Sequence, residues 1–426
     1  MLIEQPAIPK YIVGFDLADD FCQVAFLENP GKKTPKDPVT YSLIEGGEQY
    51  DIPTAIAKQN GVNRWVCGQE AVAAASDGTS TYIPHLVTLA IEGSPVPVEN
   101  SRYEPTALLA LYISRVLMRI SNRVPTQEIG AIMFTSRLMD NRMISILENV
   151  KKRLNLTSEL YFESHESSYY NYLLMQAQSV REPGSMLVEY ETGGEIRICR
   201  MMYNTRTKPI IAWQEKESAP GLFSETMEER DGELLGILQK AIDRRQISSV
   251  YLVGSGFDLE HLKKTVSFLL RGRRVFSGSN LYGKGACYGA YLRLNQPEIA
   301  SQYYFLDDNR LKENIGIRAQ VKGETVYHPF LEAGVNWYEA DVTDDLILED
   351  GNELHLVLTP LTGGKVEDFM IRLDHLPVRE GRTTRIRLHF TMTARDMVHL
   401  VIEDLGFGEI FPSTGLKWEQ NITIHG

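Results

Sequence analysis

Residues 11–27 read YIVGFDLADDFCQVAFL: one apolar run to Leu17, a polar break at Ala18-Asp19-Asp20, and a second run through Cys22, Val24 and Phe26. Two β-branched or aromatic runs split by a short polar break predict a β-hairpin. Gly14 lets something approach the backbone closely, and Asp16 offers a carboxylate near the end of the first strand. The aspartate is open to two roles, a ligand of metal-bound water or a residue that ends a strand at a turn.

A similar unit recurs at residues 185–200, SMLVEYETGGEIRICR, with Gly193 and Gly194 at its turn. A third glycine turn follows a buried strand in Val250-Tyr251-Leu252-Val253-Gly254-Ser255-Gly256. Around these lie alternating strands and helices. Pro105 opens a helix in which Leu108, Leu109, Tyr112, Val116 and Ile120 recur near the helical period. Residues 129–134 then form a buried strand and 140–154 an amphipathic helix, so this half of the chain is α/β.

The chain has 426 residues, 43% of them hydrophobic and 23% charged, enough for two or three domains of an ordinary soluble protein. A net charge of −12 with scattered Lys and Arg argues against nucleic acid as partner. Cys22, Cys67, Cys199 and Cys287 are far apart and form no metal or disulfide pattern. Neither a secretion signal nor an apolar membrane span is recognisable, which makes the cytoplasm the expected location and a membrane no expected partner.

In this order the motifs resemble the DnaK-type seventy-kilodalton heat-shock chaperones, members of the actin-like ATPase superfamily. Gly14-Phe15-Asp16-Leu17 resembles the start of their first phosphate loop, Gly-x-Asp-x-Gly-Thr-Thr, and residues 185–200 resemble the second, Asp-Leu-Gly-Gly-Gly-Thr. Residues 250–256 resemble the adenosine motif Val-Leu-Val-Gly-Gly-Ser. Leu373-Asp374-His375-Leu376-Pro377 and residues 394–404 resemble landmarks of the peptide-binding β-domain.

The resemblance implies an actin-like, ribonuclease-H-like two-lobed α/β domain at residues 1–300 with a shortened second-lobe subdomain. A linker at 301–312 and an all-β sandwich without a helical lid at 313–426 complete it. It implies a degenerate nucleotide site at Gly14, Asp16, Gly193, Gly194, Gly254, Ser255 and Gly256. Asp16 and Glu163 would be metal ligands, and the cofactor ATP or ADP with Mg2+, or none. A peptide or partner protein would meet Phe330, Leu331, Trp337 and Tyr338, although the last two could equally fill a small β core.

The chain departs from the family where the chemistry lies. Asp19 and Asp20 stand in place of two threonines, tyrosine or glutamate in place of the second-loop aspartate, and residues 72–99 hold no lysine to match the catalytic one. Phosphoryl transfer depends on placed positive charge and metal. The expected function is therefore a chaperone-like protein-binding or scaffold protein with a degenerate ATPase domain of weak or no ATP hydrolysis; the alternative is an active, atypical magnesium-dependent ATPase chaperone. His165-Glu166 reads as a surface or core histidine and its neighbour rather than a dyad, since adjacent residues point apart. Residues 278–284 spell G-x-x-x-x-G-K without a preceding strand and read as a chance match.

Overall fold

The computed structural model describes residues 10–335, 337, 340–349, 351–363, 365–379 and 381–424. They form two compact units, one from the residues up to Met202 with Glu215–Gln302, the other from Tyr203–Gln214 with Tyr303 onward.

The first unit is mixed α/β. Its opening hairpin pairs Tyr11–Leu17 with Phe21–Glu28, Asp16 lying opposite Gln23. Both strands are buried almost throughout, so alternation is absent; both faces of this sheet are covered. Ile129–Ser136 runs parallel to Tyr11–Leu17, and Glu159–Ser164 runs parallel to Ile129–Ser136. Helices Pro105–Ile120 and Asn141–Leu154 share one continuous apolar core with this sheet. Asp140 caps the second of them by accepting the Met143 N–H at 2.8 Å.

The second sheet repeats that plan. Ser185–Tyr190 and Ile196–Asn204 form an antiparallel hairpin, Ser249–Val253 runs parallel to Ser185–Tyr190, and Arg274–Ser277 runs parallel to Ser249–Val253. Each sheet is thus a hairpin whose first strand carries two further parallel strands on its other side. Helix Met227–Ile242, closed at its start by a Thr226/Glu229 capping box, packs Leu234 and Leu238 into the core of this sheet.

Helix Leu281–Asn295 packs on Tyr11–Leu17. A β-carbon on Gly14 would stand 2.2 Å from the Gly283 carbonyl oxygen and 2.6 Å from the Cys287 nitrogen. Alongside it, helix His165–Leu174 meets Tyr251 of the second sheet through Tyr169 and Tyr172, with ring centroids 6.0 and 5.8 Å apart.

In the second unit, Tyr303–Leu306 pairs in parallel with Ile210–Trp213. Part of the expected 301–312 linker is therefore a β-strand, since four consecutive apolar residues find a strand to join. The remainder holds two antiparallel four-stranded sheets, in the orders 324–331, 313–321, 353–360, 367–372 and 341–348, 384–394, 397–404, 417–423. Inward residues such as Ile315, Leu356, Ile386, Phe390 and Leu400 form its core. Inside it Arg379 grips the buried Asp404 through two hydrogen bonds of 2.7 Å.

Candidate functional site

Asp16 and Glu189 occupy equivalent places, each near the end of the first strand of its hairpin. Two aromatic rings link them. His165, the first residue of its helix, lies with Nε2 2.7 Å from Asp16 Oδ1. Its ring stacks on Tyr282, with centroids 3.9 Å apart and planes 8° from parallel. Tyr282 donates its hydroxyl to Glu189 at 2.7 Å. Arg197 and Arg137 approach the same carboxylate at 3.2 and 3.4 Å.

Burial raises the pKa of Glu189, but Tyr282 and the two guanidinium groups outweigh it and hold the carboxyl below its ordinary range. Tyr282 is pushed well above the usual tyrosine range by burial and by Glu189 beside it. Both arginines are therefore committed to a carboxylate of the protein itself.

Glu163 lies in the same cross-strand row as Asp16, with Thr135 between them. It accepts hydrogen bonds from Ser168 at 2.6 Å and Asn171 at 2.9 Å. Burial lifts its pKa to about 7 against the lowering effects of Ser168, Arg293 and Asn171. Asp16 and Glu163 thus each serve a partner on helix His165–Leu174. Among the described residues no group of three or more His, Cys, Asp or Glu side chains is placed to hold a metal ion.

The glycines expected at a nucleotide site have other neighbours. Gly14 faces the backbone of helix Leu281–Asn295, which fills the space a side chain there would need. At Gly254 a β-carbon would meet the Tyr190 carbonyl oxygen at 2.3 Å, and at Gly256 the Tyr190 ring at 2.1 Å. These two glycines make room for Tyr190. Glu191 accepts hydrogen bonds from the Ser255 hydroxyl and from its N–H, the latter at 3.1 Å. Gly193, at φ +82°, and Gly194 form the hairpin turn.

Asp19 turns away from the first loop and accepts the Thr88 N–H and hydroxyl, each at 2.9 Å, beside the start of helix Leu86–Glu92. In the G-x-x-x-x-G-K stretch, Lys284 lies within helix Leu281–Asn295 and pairs with Asp37 at 2.7 Å.

The expected peptide groove also differs. Phe330 and Leu331 are core residues, 5% and 2% exposed, and Phe330 stacks on Phe390 at 4.8 Å. A β-bulge accounts for two consecutive inward side chains: Ile315 pairs with Leu331 but Gly316 with Pro329, leaving Phe330 as the extra residue. Trp337 is half-buried, its backbone N–H bonded to the Asn309 carbonyl at 2.9 Å. Tyr338 lies outside the described residues.

Sequence reasoning missed Glu189, Tyr282, Arg137 and Arg197, and discounted His165. Glu166, its neighbour in sequence, turns instead to Lys216 at 2.8 Å. The likeness of the two hairpins points to a carboxylate near the end of residues 185–191, and the strand register then singles out Glu189 as the counterpart of Asp16.

The first unit is thus a duplicated hairpin-and-parallel-strand sheet protein whose two equivalent carboxylates are tied through a His/Tyr stack. The chain belongs to the family of unknown function DUF5716, whose C-terminal family model matches residues 37–308. Residues 310–424 match a domain of unknown function, DUF8552. No curated protein matches the chain.

Proposed function

We propose that this chain is a reduced relative of the actin-like, DnaK-type chaperone ATPases whose nucleotide cleft has become a structural tie, and that it works as a non-catalytic protein-binding scaffold. The kinship is supported by the shared plan of the two sheets, each built on a hairpin that bears a carboxylate. The loss of catalysis rests on one observation above the others: Asp16 is bound to His165, and His165 is stacked on the tyrosine that holds Glu189.

A phosphate chain with its metal would need the carboxylates open and cationic donors free. Here the carboxylates are occupied, the two nearby arginines serve Glu189, and no lysine occurs in residues 72–99. ATP and magnesium thus have no role in the activity proposed. Partner binding falls to the β-sandwich, at surfaces other than Phe330 and Leu331, which the core consumes. The test is ATP turnover by the purified full chain with magnesium. No turnover above buffer is expected, and turnover abolished by Asp16→Ala would overturn the reading in favour of an active, atypical ATPase.

A further inference from the structure

The sandwich has four edge strands. Two of them, Glu324–Leu331 and Asp341–Leu348, are joined by the ion pair His328–Asp344, with 2.7 Å between Nε2 and Oδ2. Glu367–Arg372 and Lys417–Thr423 remain. The outer side of Glu367–Arg372 takes no backbone hydrogen bond among the described residues. Its pairing with Glu353–Pro360 is regular, without a bulge. It contains no proline or lysine, and Met370 at its middle is 55% exposed. Natural edges are commonly blocked by those devices, and this one is not.

Its sequence, EDFMIR, is complementary to itself in one register. When two copies of an edge strand pair antiparallel about a two-fold axis, the faces of the sheet are preserved, and residues directly opposite share a face. Phe369 and Ile371 turn toward the core here, so Asp368, Met370 and Arg372 form the outward row. With the axis at Met370, Asp368 of each copy faces Arg372 of the other, the two methionines meet, and Phe369 faces Ile371. With the axis at Phe369, Asp368 would face Met370 and the charges would go unmatched. The other open edge lacks this property. Opposing its Lys417 to Glu419 centres the axis on Trp418 and overlaps only the end of the strand.

We propose that a second copy of this chain docks on Glu367–Arg372, extending the sheet into a symmetric antiparallel dimer centred on Met370. The site and its partner are independent of the fate of the nucleotide cleft. Arg372 currently pairs with Asp374 at 3.6 Å with both side chains well exposed, an arrangement easily exchanged for the facing Asp368. An interface of one strand pair is small, so the dimer should be weak, with a dissociation constant of about 1–100 μM.

The test is sedimentation equilibrium of the full chain and of charge variants, with circular dichroism to check folding. Asp368→Arg and Arg372→Asp each replace two attractive cross-strand pairs by two repulsive ones, and each should weaken the dimer by about tenfold or more. The double exchange, Asp368→Arg with Arg372→Asp, restores both pairs and should restore the dimer, as should mixing the two single variants. A chain monomeric up to about 100 μM, single variants that dimerise like the parent, a double variant that is not rescued, or open-ended assemblies instead of dimers would each overturn the proposal.

Discussion

Two glycines two residues apart on helix Leu281–Asn295 should respond oppositely to alanine. At Gly285 a β-carbon would stand 2.1 Å from the Ser168 carbonyl oxygen and 2.7 Å from its carbon, both backbone atoms of the neighbouring helix. Ordinary contact begins near 3.5 Å, so the helices would have to separate by about 1.4 Å along that line. Overpacking of this kind costs about 1–3 kcal/mol, and more when backbone must move. At Gly283 the nearest atom is the Ala25 β-carbon at 3.6 Å, an ordinary contact. There the substitution only removes the glycine penalty in a helix, a gain of about 0.8–1 kcal/mol. Gly285→Ala should therefore unfold at lower urea than the parent and Gly283→Ala at slightly higher, the two differing by about 3 kcal/mol. Urea titrations followed by circular dichroism read both midpoints. Equal midpoints would refute the reasoning, because they would mean that the helices are not in contact at Ser168.

Glu163→Gln gives a pH signature. The folded pKa of about 7 lies above the ordinary glutamate value, so the stability this group supports is full below the unfolded pKa and falls as pH rises through 7. The glutamine variant should be more stable than the parent at pH 8, by up to about 3 kcal/mol, and the gap should vanish near pH 4; denaturation at both values checks it. Arg379→Met should cost about 3–5 kcal/mol by removing the cationic partner of the buried Asp404, and in the same denaturation assay adding Asp404→Leu should not recover it, because that change leaves the Gly406 and Thr414 N–H groups without their acceptor. Arg379 holds the Asp404 carboxyl below its ordinary range, so this contribution persists above the ordinary aspartate pKa and fades only as pH falls well below it. Asp19→Ala should cost about 1 kcal/mol through lost hydrogen bonds at Thr88, and should create no saturable response to magnesium-ATP, as calorimetry would show.

The first hairpin was legible because two unbroken apolar runs flank one polar break. The second hairpin was legible as a unit but not in register, since Glu189, Tyr190 and Glu191 compete as equals in sequence; only pairing with Arg197 fixes Glu189 as the counterpart of Asp16. His165 was discounted because its sequence neighbour Glu166 points elsewhere, while its true partner lies 149 residues away. Glycines are ambiguous for a related reason. A glycine reports that something comes close to the backbone, and at Gly14 and Gly256 that something is the protein's own helix and tyrosine. Phe330 and Leu331 were taken for groove residues because a β-bulge, which breaks the alternation of side chains, cannot be read from a run of mixed apolar residues.

Calorimetric titration of magnesium-ATP into the full chain, beside the same titration without magnesium, tests the tied cleft most directly. The predicted result is no saturable heat in either titration. Saturable magnesium-dependent binding that is lost in Asp16→Ala would contradict it, because it would place the nucleotide where His165 and Tyr282 now stand.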